Sequence, residues 1–437
     1  MSGLQEISSL NNEQAVVVST STQARNVVQK DPVKEYDALI LDAHLRQSLV
    51  SVRSLGRRGM RVAALEGENK ATHLPTFASR WCQEAFIAPS YEQSPDAYVE
   101  YLEHLLDETG IRVLITSSDG TLGILRENRE RLGQRARIAI ASESALDIAV
   151  NKDKTLALAK ELNVGVPAGV QVGSVDDVLA ALKEVGLPAV VKPVCSWVWG
   201  EQESERLDCK LVTTADEARR AVENAVRLGG TAIIQQFLSG RCEAVNFLYA
   251  GGEVYARFAQ WAKRMQPPLG GTSVFRQSIA VPTDIGEQAE RLVRAADLEG
   301  YCEVEFRRDA AGKAYLMEIN PRLSASVEVA VRSGVDFPHL IYQWASGEAI
   351  DRITSYHEGL WMRYLQGDFL TTLQAVAQRG RPGVTPPARA LGNFLATFFI
   401  PAHYDYFDWQ DLKPALSATI DFGRVIGRTL RKRLGRA

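Results

Sequence analysis

Two acids, an amide and an arginine within GYCEVEFRRDAAGKAYLMEINPRLSAS (residues 300–326) stand at spacings suited to divalent-cation and phosphate chemistry. CEVEF and KAYLMEI are short apolar or alternating runs on either side of DAAG, whose Asp and Gly favour a tight turn, so the stretch predicts a β-hairpin. Glu305 falls on one strand and Glu318 near the end of the other. Asn320 follows Glu318 by two residues, and the strand period of two sends both side chains to one face. Three oxygen ligands can therefore converge. Hard oxygen donors suit Mg²⁺, with Mn²⁺ an alternative, and Mg²⁺ commonly completes its shell with water and nucleotide phosphates. Arg322 adds a planar cation matched to phosphate or carboxylate oxygens. The competing reading is an exposed hairpin whose charges form weak surface pairs. The joint occurrence of the turn, both acids and the Asn-Pro-Arg run weighs against it.

An acid on one strand followed by Glu-x-Asn-x-Arg on the next resembles the metal-binding hairpin of the ATP-grasp superfamily. The resemblance spans about residues 36–347 and is most specific over 154–326. It implies an enzyme using ATP and Mg²⁺, similar to carboxylate-amine ligases and to the carbamoyl phosphate synthetase large subunit. Such ligases activate a carboxylate as an acyl phosphate, which an amine displaces to form an amide or peptide bond, releasing ADP and phosphate. It also implies roles for individual residues. Lys154, ahead of Lys152, is expected on a nucleotide phosphate, and cations opening a helix oppose its dipole unless an anion joins them. Lys192 ends the apolar strand LPAVVKP, where a lysine is costly unless paired or facing a cleft. The resemblance puts it on the α and β phosphates, with Lys192 and Arg322 as the catalytic cations. Backbone groups of Gln236 and Leu238, in AIIQQFL, are expected to read adenine, and Glu243 to hold the ribose. A carboxyphosphate-forming enzyme, similar to biotin carboxylase or carbamoyl phosphate synthetase, stands beside this reading, as does a regulatory protein that binds ATP without turnover.

The elements that must position these residues follow from patterning. DALILD, RVAAL, VLITSS and RIAIA are apolar runs alternating with amphipathic helical stretches, which predicts a parallel α/β domain over residues 36–150. No GxGxxG follows the first strand, so dinucleotide binding is not expected, and His44 reads as a strand-end or interdomain residue. The resemblance assigns this part to a Rossmann-like domain preceding an ATP-grasp domain at 151–348, whose lid subdomain covers about 165–238. Where the family commonly has a glycine-rich phosphate cover, this chain has CSWVWGEQESERLDCK, with Gly200 its single glycine. The expectation is a lid over Ser196 to Gly200 that buries Trp197 or Trp199 on closing. Lys263, Arg264 and Arg276 flank a Pro-Pro-Leu-Gly-Gly turn and are candidates for an anionic substrate. Residues 349–437 read as a mostly helical appendage ending in a basic amphipathic stretch suited to weak contact with acidic lipid or a partner.

Composition narrows the class. With 50 basic against 53 acidic side chains, a net charge of -3 gives no reason to expect a nucleic-acid partner. Small-molecule carboxylate and amine substrates fit better. Five scattered cysteines without a CxxC pair predict neither zinc nor redox work, but small buried residues in a reducing cytoplasm. Residues 1–35 are rich in Ser, Asn, Gln and Thr and read as a loosely attached extension without secretory-signal features. No run reaches transmembrane length. A homodimer is left open.

Overall fold

The structure, a computed structural model, describes residues 35–434 apart from 71–72, 196, 200–203, 228–229 and 269. The expected extension over residues 1–35 falls almost wholly outside them.

Ala38–Ile40 is a fully buried strand, as a run apolar on both faces requires, and it pairs in parallel with Val62–Gly67 on one side and Val113–Ile115 on the other. Glu84–Ala88 and Arg137–Ile138 complete a five-stranded parallel sheet. Helices including Arg46–Arg57, Pro95–Thr109 and Asp119–Glu127 supply the crossovers that parallel pairing demands. The chain adds strands on one side of Ala38–Ile40 and then returns to the other, which leaves a crevice at the strands' carboxyl ends. Asp42 sits there with φ of 59°. Its carboxylate accepts from the Ser117 N–H at 3.0 Å, the Ser118 hydroxyl at 2.9 Å and the Thr121 hydroxyl at 2.6 Å. His44, expected as a strand-end or interdomain residue, lies in the turn that follows strand Ala38–Ile40, 2.7 Å from Glu66. These bonds fix the start of helix Asp119–Glu127, which matters for the site.

A four-stranded antiparallel sheet comes next, in the order Lys210–Val212, Ala189–Pro193, Ala232–Gln236, Gly169–Val172. Its core, built from Val172, Val178, Val191, Val222 and Ile234 among others, is self-contained. The other two cores behave differently. Each runs from the parallel domain into a seven-stranded sheet, one joining Leu39 and Leu114 to Phe306 and Leu316, the other joining Ile40 and Val113 to Phe258 and Tyr301. The parallel domain and large sheet thus form one body, while the small sheet packs around its own interior.

The large sheet runs Ala314–Asn320, Gly300–Arg308, Cys242–Ala250, Glu253–Gln266, Thr272–Ile279, Trp361–Arg363 and Ala402–Tyr404. Its last two strands come from the expected appendage. That region is mostly helical, with helices Leu365–Ala377, Pro387–Ala396 and Lys413–Leu434, but it also extends the sheet by strand pairing with Thr272–Ile279. No helix among the described residues is long and apolar enough to cross a membrane.

Candidate active site

The hairpin forms as the alternation predicts, with strands Gly300–Arg308 and Ala314–Asn320 in antiparallel register. Glu305 stands opposite Glu318, and Glu303 opposite Asn320. Between these pairs and the turn the register slips, since Phe306 faces Leu316 and Met317 has no partner. This is a β-bulge. It shifts the phase of the second strand so that Leu316 and Ile319 both reach the core while Met317 and Glu318 are left half-buried. Four polar groups of the two strands are thereby gathered on one stretch of sheet.

The Asn320 amide donates to Glu305 Oε1 at 3.0 Å. Burial, then the charges of Glu318 and Glu303, push the Glu305 carboxyl well above the usual carboxylate range. Glu303, which the hairpin argument passed over, is 4% exposed and accepts from Asn246 Nδ2 at 3.0 Å and Gln260 Nε2 at 3.1 Å. Crowded carboxylates with too few cations of their own are suited to a hard divalent ion. Among the described residues, no three His, Cys, Asp or Glu side chains close on a single ion. The donor set, two carboxylates and an amide, is therefore one that leaves coordination positions for phosphate and water, as Mg²⁺ prefers.

Above the hairpin lies a cleft of about 430 Å³. Glu318 and Asn320 form its floor, Asp119, Arg126 and Glu127 one wall, and Lys152, Thr155 and Cys195 another. Arg322 crosses from the hairpin to the wall, donating Nε to Asp119 Oδ1 at 2.5 Å and a terminal nitrogen to Asp119 Oδ2 at 3.1 Å. Lys192 is 9% exposed and aims at the bulge, its Nζ 3.8 Å from Met317 Sδ.

The chain is similar in part to known proteins. The family described as "ATP-grasp in the biosynthetic pathway with Ter operon" matches residues 230–367. A carbamoyl phosphate synthase large chain from Thermoanaerobacter pseudethanolicus is 26% identical over 235 residues, covering 52% of this chain and 21% of that relative. The chain thus spans about a fifth of the length of the curated relatives it matches. Among solved structures, a biotin carboxylase from Campylobacter jejuni in a β-γ-ATP complex aligns with a TM-score of 0.60 at 14% identity, over 75% of this chain and 74% of that one. An L-amino acid ligase from Bacillus licheniformis aligns with a TM-score of 0.56 at 18% identity, over 73% and 76%.

The chain carries the ATP-grasp fold. Within it, several expected residues stand elsewhere than anticipated. Lys154 is half exposed, paired with Asp147, and does not line the cleft. Lys152, ranked second, is 7% exposed and lines the cleft instead. Asn151 caps this helix, its Oδ1 accepting from the Asp153 and Lys154 N–H groups at 3.0 and 3.2 Å, and the cap fixes which lysine turns inward. Gln236 donates its N–H to the Ala168 carbonyl at 2.8 Å, so that amide is not the one to read a base. Leu238 is buried just ahead of Gly240, where a Cβ would come within 2.3 Å of the Arg308 carbonyl. Only glycine fits there. The chain is pinned to the hairpin at that point by the Gly240 N–H, 3.0 Å from the same carbonyl.

Glu243 is a correction. Its carboxylate is buried and held by Arg308 at 2.7 Å and Arg241 at 3.4 Å, so it serves packing and is not presented to a ribose. The three substrate cations are corrections too. Arg264 forks onto Asp368 at 2.5 and 2.7 Å, and Arg276, fully buried, is bound to Asp405. Lys263 is exposed, lies over the Trp361 ring at 5.3 Å and does not line the cleft. The acids that neutralise the two arginines come from the appendage, more than a hundred residues away in sequence. No local pattern could have supplied them. The lid stretch folds as a two-stranded hairpin, Trp197–Trp199 with Ser204–Arg206, in place of a glycine-rich loop. Ser196 and Gly200 lie outside the described residues.

Proposed function

We propose that the protein is an ATP-dependent ligase that activates a small carboxylate as its acyl phosphate and condenses it with an amine, releasing ADP and phosphate. The observation that carries this reading is the placing of Glu318 and Asn320 on the floor of a cleft that Lys152 also lines, with Glu305 in register beside Glu318 and Lys192 reaching the neighbouring Met317. Glu305, Glu318 and Asn320 would hold Mg²⁺, which when bound neutralises nucleotide phosphate. Lys152 and Lys192 supply fixed positive charge from two separate elements near the hairpin, which would stabilise a triphosphate bound there. Arg322 is held in place by Asp119, and that fork sets its guanidinium at the junction of parallel domain and hairpin. The self-contained small sheet with its tryptophan hairpin is built to move as a unit over this cleft and exclude water. No protein nucleophile is required, because the phosphorylated carboxylate is itself the acylating species. The free cysteines support a reducing, cytoplasmic setting.

The test is turnover of ATP with panels of carboxylates and amines, following phosphate release and the mass of the condensed product. Glu318→Gln removes a negative ligand at constant shape and is expected to lower turnover by at least about a hundredfold, with the fold intact by circular dichroism. Unchanged turnover at saturating Mg²⁺ overturns the site. The carbamoyl phosphate synthase relatives and the biotin carboxylase likeness favour a second reading, in which the activated acid is bicarbonate. Phosphate release that requires bicarbonate and no other carboxylate would decide for it.

A further inference from the structure

The region from Leu365 onward sorts its apolar and charged side chains in opposite directions. Of the sixteen large hydrophobic residues exposed among the described residues, thirteen lie between Leu365 and Val425. Phe399 is 88% exposed and Trp409 81%. The exposed residues follow helical spacing. Leu391 and Leu395 are four apart on helix Pro387–Ala396 and lead into Phe398 and Phe399, while Leu412, Leu416 and Ile420 repeat every four residues into helix Lys413–Leu434. That spacing lines each set along one side of its helix. The opposite sides are packed, with Ala390 and Ala418 buried. Phe369 joins the helices, its ring 6.2 Å from Phe394 and 6.1 Å from Phe422. The two stripes thus belong to one helical cluster.

Charge runs the other way. Asp368, Asp405, Asp408 and Asp411 are all buried and turned inward onto arginines, among them Arg264, Arg276, Arg57 and Arg53. Arg389, Lys413 and Arg424 are exposed. From Arg424 to Arg436 the sequence carries six basic residues, and no acid follows Asp421. In a chain of net charge -3 this is a local segregation. Water-facing surfaces rarely combine so much apolar area with so little negative charge. A second copy of the chain would cover the apolar stripes but would present the same basic stretch, so like charges would meet. An anionic bilayer supplies both missing partners, hydrocarbon for the leucines and aromatic rings and phosphate for the guanidinium and ammonium groups.

We propose that this face docks on the surface of an anionic phospholipid bilayer. Phe398, Phe399, Trp409 and the stripe from Leu412 to Ile420 enter the boundary between headgroups and acyl chains, and the exposed Arg389, Lys413 and Arg424 meet the headgroups. The proposal is independent of the catalytic reading, since none of these residues lines the cleft.

The experiment is flotation of the full chain with vesicles of phosphatidylcholine alone or mixed with phosphatidylglycerol, with light scattering of the protein without lipid. Binding to the mixed vesicles is expected to exceed binding to phosphatidylcholine by about tenfold or more and to fall by about tenfold in high salt. Leu416→Glu with Ile420→Glu, both at exposed positions, is expected to reduce vesicle binding by about tenfold without changing the thermal unfolding midpoint, and Arg424→Glu to weaken it on anionic vesicles. Absence of binding, equal binding to both lipids, or binding indifferent to the Leu416 and Ile420 changes overturns the proposal. A dimer in light scattering that the same double variant dissolves overturns it as well, by giving the face to a second copy.

Discussion

Two lysines two residues apart, Lys152 and Lys154, show how a helix start divides labour. The Asn151 cap sets the phase of the first turn, so Lys152 points into the protein beside the cleft while Lys154 pairs with Asp147 at half exposure. An exposed ion pair contributes little. A nearly buried ammonium facing phosphate contributes far more, because a charged hydrogen bond in a dry setting is worth about 1.5–3 kcal/mol. Lys152→Met is therefore expected to raise the KM for ATP by about tenfold or more, and Lys154→Met to leave it within about twofold, read from initial rates across ATP concentrations. The reverse order would return the phosphate contact to Lys154. The residue types were legible in the sequence here, but which of two neighbouring lysines faces inward was not, because that depends also on the Val194 carbonyl, just past strand Ala189–Pro193, which accepts from the Lys152 N–H at 3.2 Å. Glu303 was legible by the period-two argument that found Glu305, since the two acids stand two apart on one strand.

Among the elements, the hairpin that carries Glu305 and Glu318 was readable from alternation and turn chemistry, and its register places the acids as the spacing requires. Its bulge was not readable. The slip at Met317 is decided by which residues fit a core shared with the parallel domain, and no window of local sequence contains that information. The lid differs in the opposite way. WVW stands where the expectation is a closing lid loop, yet apolar residues separated by one position are strand-forming, and Trp197–Trp199 pairs with Ser204–Arg206. An isolated two-stranded hairpin is marginally stable in water and gains order by packing on something else. Nucleotide in the cleft is the natural surface for it. Amide hydrogen exchange over residues 195–210 is expected to slow by about tenfold or more on adding Mg-ATP, and the fluorescence change on ATP binding to shrink in Trp199→Phe. Exchange that ignores nucleotide would make this hairpin a fixed ornament of the small sheet and would leave phosphate to be covered by another element.

At the scale of the whole molecule, the appendage is fastened by charge as well as by strand pairing. Asp405 binds Arg46 of the parallel domain and Arg276 of the large sheet, and Asp411 binds Arg53 at 3.0 Å and the Ser79 hydroxyl at 2.7 Å. One surface of the appendage thus touches both halves of the body that frames the cleft. Burial alone would raise the Asp405 pKa, but the Arg276 and Arg46 guanidinium groups outweigh it and hold the carboxyl below the usual carboxylate range. The sign of the pH effect follows. A carboxylate whose folded pKa is depressed adds stability that is fully present above its unfolded value, about 3.9, and that is lost as pH falls through the folded one. Stability should therefore be flat with respect to this group from neutral pH down to about pH 5 and decline below about pH 4. Asp405→Asn keeps the shape and removes the charge, stranding two buried arginines, and should cost about 3–5 kcal/mol at neutral pH. Denaturant unfolding of parent and variant from neutral pH downward measures both effects. The gap between the two curves should be widest at neutral pH and close in acid, when the parent's own carboxylate has been protonated. A gap that stayed constant with pH would mean that Asp405 holds the appendage through shape and hydrogen bonding, and that its charge contributes nothing to joining the appendage to the parallel domain and large sheet.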